Sequence, residues 1–237
     1  MKGCKFMVST KFIKMLDEKY GIRFKDARLL EEAFTHSSYL NENPGKTLGN
    51  YEKLEFLGDA VLEFTVSDYL YRHFQHLHEG ELTRLRSNIV RTEGFSKVAL
   101  DCGFKEEINL GVGEEKAGGR NRKALLEDVF EAFNGALFLD QGIEVVEKFL
   151  SQTVYPLIAA GYFTPSRDFK TDLQELLQQN GSVNIEYRVL NESQQPPHFE
   201  VEVLVDGKKL ANGEGRNKKK AEQDAANHAL QHLNGGK

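Results

Sequence analysis

Residues 50–64 read NYEKLEFLGDAVLEF, a stretch that contains no proline and is rich in good helix formers. At about 100° per residue, a helix places Glu52, Glu55 and Asp59 within roughly a 60° arc. The opposite side of this helix carries three apolar residues, namely Leu54, Leu57 and Val61. Because an apolar stripe of this kind packs against a core, the sequence predicts a half-buried helix that presents three carboxylates together.

The acidic face of this helix needs a counter-charge, because clustered carboxylates repel one another and lose hydration when buried. A divalent metal ion is the natural partner. Phe56 lies about 40° from Glu52 on the same side, where an apolar ring is expected only if another chain or helix covers it. Gly58 weakens a helix by roughly 1 kcal/mol relative to alanine, which suggests that a second backbone passes close to it. An ordinary surface helix with exposed acids is the alternative.

A second acidic helix is predicted at 123–138, where Asp128 and Glu131 lie one turn apart and Gly135 follows on the same face. If the two helices face each other, four carboxylates form a box. Hard cations such as Mg²⁺ prefer oxygen ligands, and paired metal ions favour in-line displacement at phosphorus. The expected reaction is therefore phosphodiester hydrolysis. The sequence contains no visible Ser-His-Asp or Cys-His nucleophile set that would compete with it.

The remaining patterns before residue 161 carry weaker functional signals. Two short helices are predicted at 9–20 and 26–35, and residues 36–46 read as a helix end followed by a polar turn, in which His36 is a cap or packing residue. Another helix is predicted from Gly142 to about residue 160. The glycine-rich residues 110–122 lack the spacing of a Walker loop or a dinucleotide fingerprint, so no nucleotide cofactor is expected.

The C-terminal part of the sequence shows a mixed pattern of helices and strands. A linker is predicted where residues 161–167, GYFTPSR, interrupt the helical pattern. A helix, three strand-like runs and a last helix follow, with Asp206-Gly207 as a hairpin turn between the second and third runs. The runs are predicted at 185–190, 199–205 and 209–213. The last helix opens with Lys218, Lys219 and Lys220, and because helix N-termini already favour anions, these lysines are expected to bind phosphate.

Composition describes a globular chain of 237 residues with 40% hydrophobic content and a formal charge of -5. Neither part of the chain is basic overall, so any nucleic-acid surface must be a local patch. No apolar run is long enough to span a bilayer and the N-terminus lacks the apolar centre of a secretory signal, so no membrane association and a cytoplasmic location are expected. Cys4 and Cys102 are expected to be free thiols.

Two motifs resemble those of a known family. Residues 51–62, YEKLEFLGDAVL, resemble the signature of the ribonuclease III family, and residues 126–132, LEDVFEA, resemble its second acidic motif. The C-terminal part resembles a double-stranded RNA-binding domain. The resemblance extends from about Phe12 to Leu233, and the arrangement is similar to the small bacterial form, with one nuclease domain and one binding domain.

The resemblance implies a fold class and a domain division. The expected fold is an all-α N-terminal endonuclease domain joined to a small α+β (α-β-β-β-α) double-stranded RNA-binding domain. The helical endonuclease and dimerisation domain is expected at 1–162, the linker at 163–167 and the binding domain at 168–237.

The resemblance also implies an activity, that of a Mg²⁺-dependent endoribonuclease in which Mn²⁺ can substitute. Such enzymes are homodimers whose two sites each cut one strand of duplex RNA. The products have 5′-phosphate and 3′-hydroxyl ends with a short 3′ overhang. The expected role is processing of rRNA and mRNA. The positions that match the metal-binding acids are Glu55, Asp59, Asp128 and Glu131, with Asp59 and Glu131 in catalysis. Glu52 matches an accessory acid near the subunit boundary, and Phe56 matches the residue that inserts into the partner subunit.

The RNA contacts implied by the resemblance lie on three segments of the binding domain. A-form RNA is read by shape, through 2′-hydroxyls and phosphates over roughly 16 base pairs. Thr171, Gln174 and Glu175 on the first helix are expected to face one minor groove, and His198 in the loop at 195–198 the next. The lysines at 218–220 are expected to hold the intervening phosphates. The loop's Pro-Pro-His sequence departs from the glycine-containing turn seen often in such modules, which leaves its contact open.

Two other functions stay open on the sequence alone. A non-cleaving regulator that binds double-stranded RNA would keep the same fold, and the presence of all four acids counts against it. A helical metal-storage or hydrolase protein unrelated to RNA is disfavoured by the C-terminal module and its lysines.

Overall fold

The structure, a computed structural model, describes residues 8–45, 49–163, 168–178 and 181–234. The chain divides into two compact units, Met1–Thr164 and Pro165–Lys237. Within the described residues, the first unit is built from helices, and the second combines two helices with a three-stranded antiparallel sheet. The predicted fold class, an all-α part followed by an α-β-β-β-α part, is confirmed.

The predicted linker at 163–167 falls mainly on residues 164–167, which lie outside the described residues. Phe163 is buried and packs with the first unit, where the side-chain amide of Asn88 donates to its carbonyl oxygen at 3.4 Å. Packing of the first unit therefore continues to Phe163.

The helices of the first unit follow one another through short connections. In chain order they are α1 (Thr10–Met15, continued by a π-helical turn at Leu16–Tyr20), α2 (Ala27–Ala33), α3 (Ser37–Glu42), α4 (Glu52–His73), α5 (Glu79–Ile89), α6 (Thr92–Asp101), α7 (Val112–Lys116), α8 (Lys123–Gln141), α9 (Ile143–Thr153) and α10 (Tyr155–Ala159). Single 3₁₀ turns lie at Phe104–Glu107 and Gly119–Asn121. No helix in the described ranges is both long and apolar enough to cross a membrane.

Helix α8 lies at the centre of the first unit. Every residue from Glu131 to Leu137 is buried. Aromatic rings surround this segment in edge-to-face and tilted contacts, and they belong to Phe12, Phe34, Phe104, Phe130, Phe133 and Phe149. A helix that is enclosed in this way has no solvent-facing side on which to place a charge. Glu131 is therefore held away from water by the packing of its own helix.

Helices α4 and α8 cross in direct backbone contact. A Cβ atom added to Gly58 would overlap the carbonyl oxygen of Glu131, and one added to Gly135 would overlap the carbonyl oxygen of Leu54. Only glycine leaves room for this approach, since any side chain would push the helices apart. The close second backbone that Gly58 predicts is therefore that of α8, and the crossing places the acidic part of α4 beside Glu131.

Two local elements differ from the sequence-based prediction. Residues 36–46 were expected to form a helix end and a turn, but α3 begins there, because the His36 ring nitrogen Nδ1 accepts from the Ser38 backbone N–H at 3.1 Å and caps the helix. The helix expected to run from Gly142 to about residue 160 ends at Thr153. A new helix follows with Pro156 in its first turn, where a missing N–H is tolerated.

The second unit has the predicted order, with longer strands than expected. Its elements are α11 (Phe169–Gln178), β1 (Ile185–Gln194), β2 (Pro197–Val205), β3 (Lys208–Gly215) and α12 (Lys218–Asn234). Asp206 and Gly207 both have positive φ, at 48° and 77°, as a two-residue hairpin turn requires. Small residues on α12, among them Ala225, Ala226 and Ala229, pack with Leu173 and Val203 to form a compact core.

The backbone contact predicts a large cost for any side chain at either glycine. Gly58→Ala and Gly135→Ala should each destabilise the first unit by about 1–3 kcal/mol or more, because the rigid backbone opposite cannot move aside as a side chain can. Denaturant unfolding of the full chain, followed by far-UV circular dichroism, measures the change.

Gly80 is the matched control, since it lies in helix α5 and an added Cβ would meet no atom within 4 Å. Gly80→Ala should be neutral or stabilise by up to about 1 kcal/mol. Equal stability of all three variants would show that the two helices do not touch at Gly58 and Gly135.

Candidate active site

The acids singled out by the sequence lie on two helices that meet. Glu52, Glu55 and Asp59 occupy the first two turns of α4, and Asp128 and Glu131 lie on α8. Burial differs among them: Glu131 is only 8% exposed, Glu55 and Asp128 are partly buried, and Glu52 and Asp59 are exposed. The acids therefore extend from the protein surface into the interior along the crossing of α4 and α8.

Burial and mutual repulsion raise the pKa of the deeper acids. Loss of hydration, followed by the charge of Asp59, raises the pKa of Glu131 to about 9. Loss of hydration, followed by the charge of Asp128, raises the pKa of Glu55 to about 7. Acids on each helix thus raise the pKa of an acid on the other helix. The four candidate metal acids share one electrostatic environment, as the prediction of a common acidic face requires.

Asp128 differs from the other acids because it has a hydrogen-bond donor. The phenol oxygen Oη of Tyr51 donates to Asp128 Oδ2 at 3.1 Å. Burial raises the pKa of Asp128, while this hydrogen bond and the nearby His36 oppose the rise. Burial and the charge of Asp128 raise the pKa of Tyr51 above its ordinary value, which favours the protonated phenol as a hydrogen-bond donor.

The donor chemistry of this surface fits a hard divalent cation. Its acidic oxygens come from Glu55, Asp59, Asp128 and Glu131, and the pKa of Glu131 shows a buried carboxyl without a compensating positive charge. Among the residues that the structure describes, no three acidic, histidine or cysteine side chains converge into a complete metal-binding group.

Two neighbours of the acids were missed by the sequence reasoning. Glu127 adds its charge to those that raise the pKa values of Glu55 and Glu131. Tyr51 supplies the hydrogen bond to Asp128. Helical spacing offers a signal for both, because Glu127 lies four residues before Glu131 and Tyr51 four residues before Glu55, which places each on the acidic side.

An apolar stripe runs along the exposed side of α4. Phe56 is 82% exposed, in agreement with its expected position on the acidic side, and Phe64 and Tyr71 continue the exposed aromatic surface at 62% and 74%. At helical spacing these three side chains fall within about an 80° arc. Large aromatic rings aligned in this way on one helix form a surface suited to burial against another molecule.

Three of the seven predicted RNA contacts of the second unit lie around one groove. Thr171, Gln174 and Lys219 border a cavity of about 570 Å³ that is bounded by α11, α12 and the start of β1. Two bridges hold these helices together: Lys170 pairs with Glu222 at 2.7 Å, and Gln223 donates to Asp168 at 2.8 Å. The other candidates on these helices are Glu175, Lys218 and Lys220. They are exposed and adjacent in sequence to the residues above, but they do not line the cavity.

The lysines and His198 occupy defined positions. Lys218, Lys219 and Lys220 form the first turn of α12, where Asn217 caps the helix by accepting from the Lys220 backbone N–H at 2.9 Å. His198 was expected in a loop, but it is the second residue of β2 and pairs with Ser193 of β1, because the strands extend almost to their connecting turn. Its Nε2 lies 3.8 Å from a carboxylate oxygen of Glu214.

The raised pKa of Glu131 predicts how metal-free stability depends on pH. Its folded value of about 9 lies above its ordinary value of 4.5, so the unfolded chain loses this proton first and wild-type stability falls as the pH rises between these values. Glu131→Gln removes this loss. With chelator present, its Tm should exceed that of the wild type by on the order of 10 °C at pH 8 and come close to it near pH 5, because about 1 kcal/mol corresponds to 2–4 °C in a domain of this size.

Glu144→Gln serves as control, since Glu144 is an exposed acid in the first turn of α9. It should leave Tm unchanged at both pH values. A Glu131→Gln variant that shows no gain at pH 8 would contradict the raised pKa of this buried carboxyl.

Two family profiles match this chain. The profile described as ribonuclease-III-like matches residues 26–158, and the one described as the double-stranded RNA binding motif matches residues 169–233. The first match spans α2 to α10 and contains both acidic helices. The second spans α11 to α12 with the sheet between them.

Individual proteins agree with the profiles. The chain is 69% identical to a protein of Lactobacillus acidophilus named ribonuclease 3, over 95% of this chain and 99% of that protein. It is 50% identical to a ribonuclease 3 of Streptococcus gordonii, over 94% and 97%. The solved nuclease domain of ribonuclease III from Campylobacter jejuni is 34% identical, with a TM-score of 0.53, and covers 66% of this chain and 98% of its own. The chain therefore belongs to the ribonuclease III family and is an endoribonuclease that acts on double-stranded RNA.

Proposed function

We propose that the endonuclease depends on a divalent metal ion, with Mg²⁺ as the natural ion and Mn²⁺ as a substitute, and that it works as a homodimer. Each site of the dimer cuts one strand of the duplex, which leaves 5′-phosphate and 3′-hydroxyl ends with short 3′ overhangs. The observation that carries the proposal is the shared acidic surface at the crossing of α4 and α8. The charges of Asp59, Glu55 and Asp128 all act there on the buried Glu131.

The four acids Glu55, Asp59, Asp128 and Glu131 would hold the metal. When bound, a divalent cation neutralises their charge and supplies Lewis-acid activation for in-line hydrolysis of a phosphodiester. Glu131 must give up its proton to become a ligand, because its pKa of about 9 keeps it protonated at neutral pH in the free protein. Asp59 is exposed next to Glu131 and is the acid best able to reach both the ion and the RNA. We assign catalysis to Asp59 and Glu131.

The exposed stripe of Phe56, Phe64 and Tyr71 supports a homodimer. An unpaired aromatic surface of this length on a water-soluble helix is stabilised when a second molecule covers it. One solved C. jejuni nuclease domain, at 34% identity and a TM-score of 0.53 over 59% of this chain and 97% of its own, is described as flexible in a region involved in its dimer formation. In the proposed dimer, Phe56 inserts into the partner and Glu52 is an accessory acid near the boundary.

The second unit would hold the duplex by its shape. Thr171, Gln174 and Glu175 would project from α11 towards one minor groove of the duplex. His198 lies at the start of β2, beside the turn that connects β1 and β2, and would contact the next minor groove. Lys218, Lys219 and Lys220 would bind the phosphates between them, because they form the first turn of α12, where backbone amides already attract anions. We propose processing of rRNA and mRNA in the cytoplasm as the role of this activity.

Removal of the deepest acid should separate binding from cleavage. We expect Glu131→Gln to bind a labelled RNA duplex with wild-type affinity and to lose cleavage at least 100-fold at millimolar Mg²⁺, because it removes a metal ligand and no RNA contact. Gel shift in chelator and end-label cleavage assays measure the two properties. Glu144→Gln is the control and should cut normally; a Glu131→Gln variant that cuts at the wild-type rate would remove the metal proposal.

The lysine turn predicts a salt effect. Lys218→Ala with Lys219→Ala should weaken binding equally for duplexes of different sequence and lower the slope of log K against log salt by about one unit per lost phosphate contact. Lys208→Ala, which changes an exposed lysine at the far hairpin, should leave the slope unchanged. An unaltered slope in the double variant would mean that these lysines are merely solvated.

A further inference from the structure

Tyr51 connects the two halves of the acidic surface. Its backbone carbonyl accepts the Glu55 N–H at 2.8 Å, and its side-chain hydroxyl donates to Asp128 Oδ2 at 3.1 Å. One residue thus has direct hydrogen bonds to an acid-bearing residue of α4 and to an acid of α8.

The position of Tyr51 is fixed on several sides. Its backbone N–H donates to the carbonyl oxygen of Thr35 at 2.9 Å, and its ring centre lies 5.7 Å from that of His36. Only 6% of the residue is exposed. A side chain held in this way has little freedom to turn, so its hydroxyl defines a fixed point to which the Asp128 carboxylate is attached.

A carboxylate that accepts at one oxygen keeps its other oxygen for a different partner. The bond to Tyr51 is made at Oδ2 of Asp128 and so fixes one of the two carboxylate oxygens. Hydrogen bonds of this type orient metal-binding side chains, and their loss commonly lowers metal affinity 10–100-fold. The remaining candidate ligands lack an equivalent tyrosine partner among the hydrogen bonds that the described residues show.

We infer that Tyr51 is a positioning residue for the reaction: its hydroxyl holds Asp128 in the orientation in which that carboxylate binds the divalent ion. The inference rests on the proposed metal site. Tyr51 touches neither RNA nor the reacting phosphate in this role; it acts through Asp128, and its effect is on the affinity for the ion and not on the chemical step at saturating ion.

Tyr51→Phe tests this role because it removes one oxygen atom and keeps the ring. The full-length variant is titrated with Mn²⁺ alone, and free Mn²⁺ is read by electron paramagnetic resonance. We expect the dissociation constant to rise about tenfold. In cleavage assays the Mg²⁺ concentration for half-maximal rate should rise by a similar factor, while the rate at saturating Mg²⁺ stays within threefold of the wild type and duplex binding in chelator is unchanged.

Tyr20→Phe is the matched control. Tyr20 is also a buried tyrosine of the first unit, and its hydroxyl contacts the sulfur of Cys102 at 3.4 Å instead of an acid. It should bind Mn²⁺ as the wild type does. Equal Mn²⁺ affinity of Tyr51→Phe and the wild type would overturn the inference.

A double-mutant cycle separates positioning from general packing. In an Asp128→Asn background the carboxylate is absent, so adding Tyr51→Phe should change Mn²⁺ affinity less than twofold. A further tenfold loss there would show that Tyr51 acts by another route and would also overturn the inference. If Asp128→Asn and Glu131→Gln both bind Mn²⁺ with wild-type affinity, the proposed metal site itself is wrong. That result is distinct from one in which only the role of Tyr51 is wrong.

Should Tyr51→Phe not fold, the wild-type chain still provides a test. With ¹³C-labelled tyrosine, the Tyr51 ring signals should shift during a Mg²⁺ titration with the same midpoint as ion binding. Ring signals that stay constant through saturation would overturn the inference.

Discussion

The contact between the backbones of α4 and α8 at Gly58 and Gly135 determines where the acids lie. Two helices with ordinary side chains at the contact have axes about 8–10 Å apart, and the carboxylates on them would then be more widely separated. Glycine on both helices removes this spacer, so the carbonyl oxygens of Glu131 and Leu54 lie where Cβ atoms would otherwise be. The contact also fixes the rotation of each helix, since only the faces with glycine can approach.

This arrangement has an electrostatic cost that follows directly from the packing. Glu131 lies in the fully buried part of α8, and neighbouring acids raise its pKa to about 9. A protein selected for stability alone would place an apolar residue there, because a buried carboxyl with no positively charged partner is unfavourable whether it is ionised or must take up a proton. A bound divalent cation would offset this cost, because it would take the place of the Glu131 proton and neutralise the charges of the surrounding acids. Stability and function therefore oppose each other at this crossing.

Much of this organisation follows from helical periodicity and residue type. The acids of α4 and α8, the exposed Phe56 and the close approach at Gly58 are all readable from spacing, because a regular helix fixes which residues share a face. The Asp206-Gly207 turn is equally readable, since few residues accept positive φ. The hydrogen bond from Tyr51 to Asp128 joins residues 77 positions apart, and only the packed structure defines that distance. His198 was misplaced because strand ends depend on pairing between strands. Helix α3 was not predicted because it has only six residues, too few for a clear helical pattern.

The central claim is that acids from two distant segments form one divalent-ion site at the α4–α8 crossing. Anomalous diffraction from crystals of the full-length protein grown with Mn²⁺ tests it most directly. The account predicts a manganese peak bounded by Glu55, Asp59, Asp128 and Glu131, with Tyr51 still bonded to Asp128. The account would be contradicted if Mn²⁺ supported cleavage in solution but the anomalous peaks from the crystals lay elsewhere, with these four carboxylates facing away from one another.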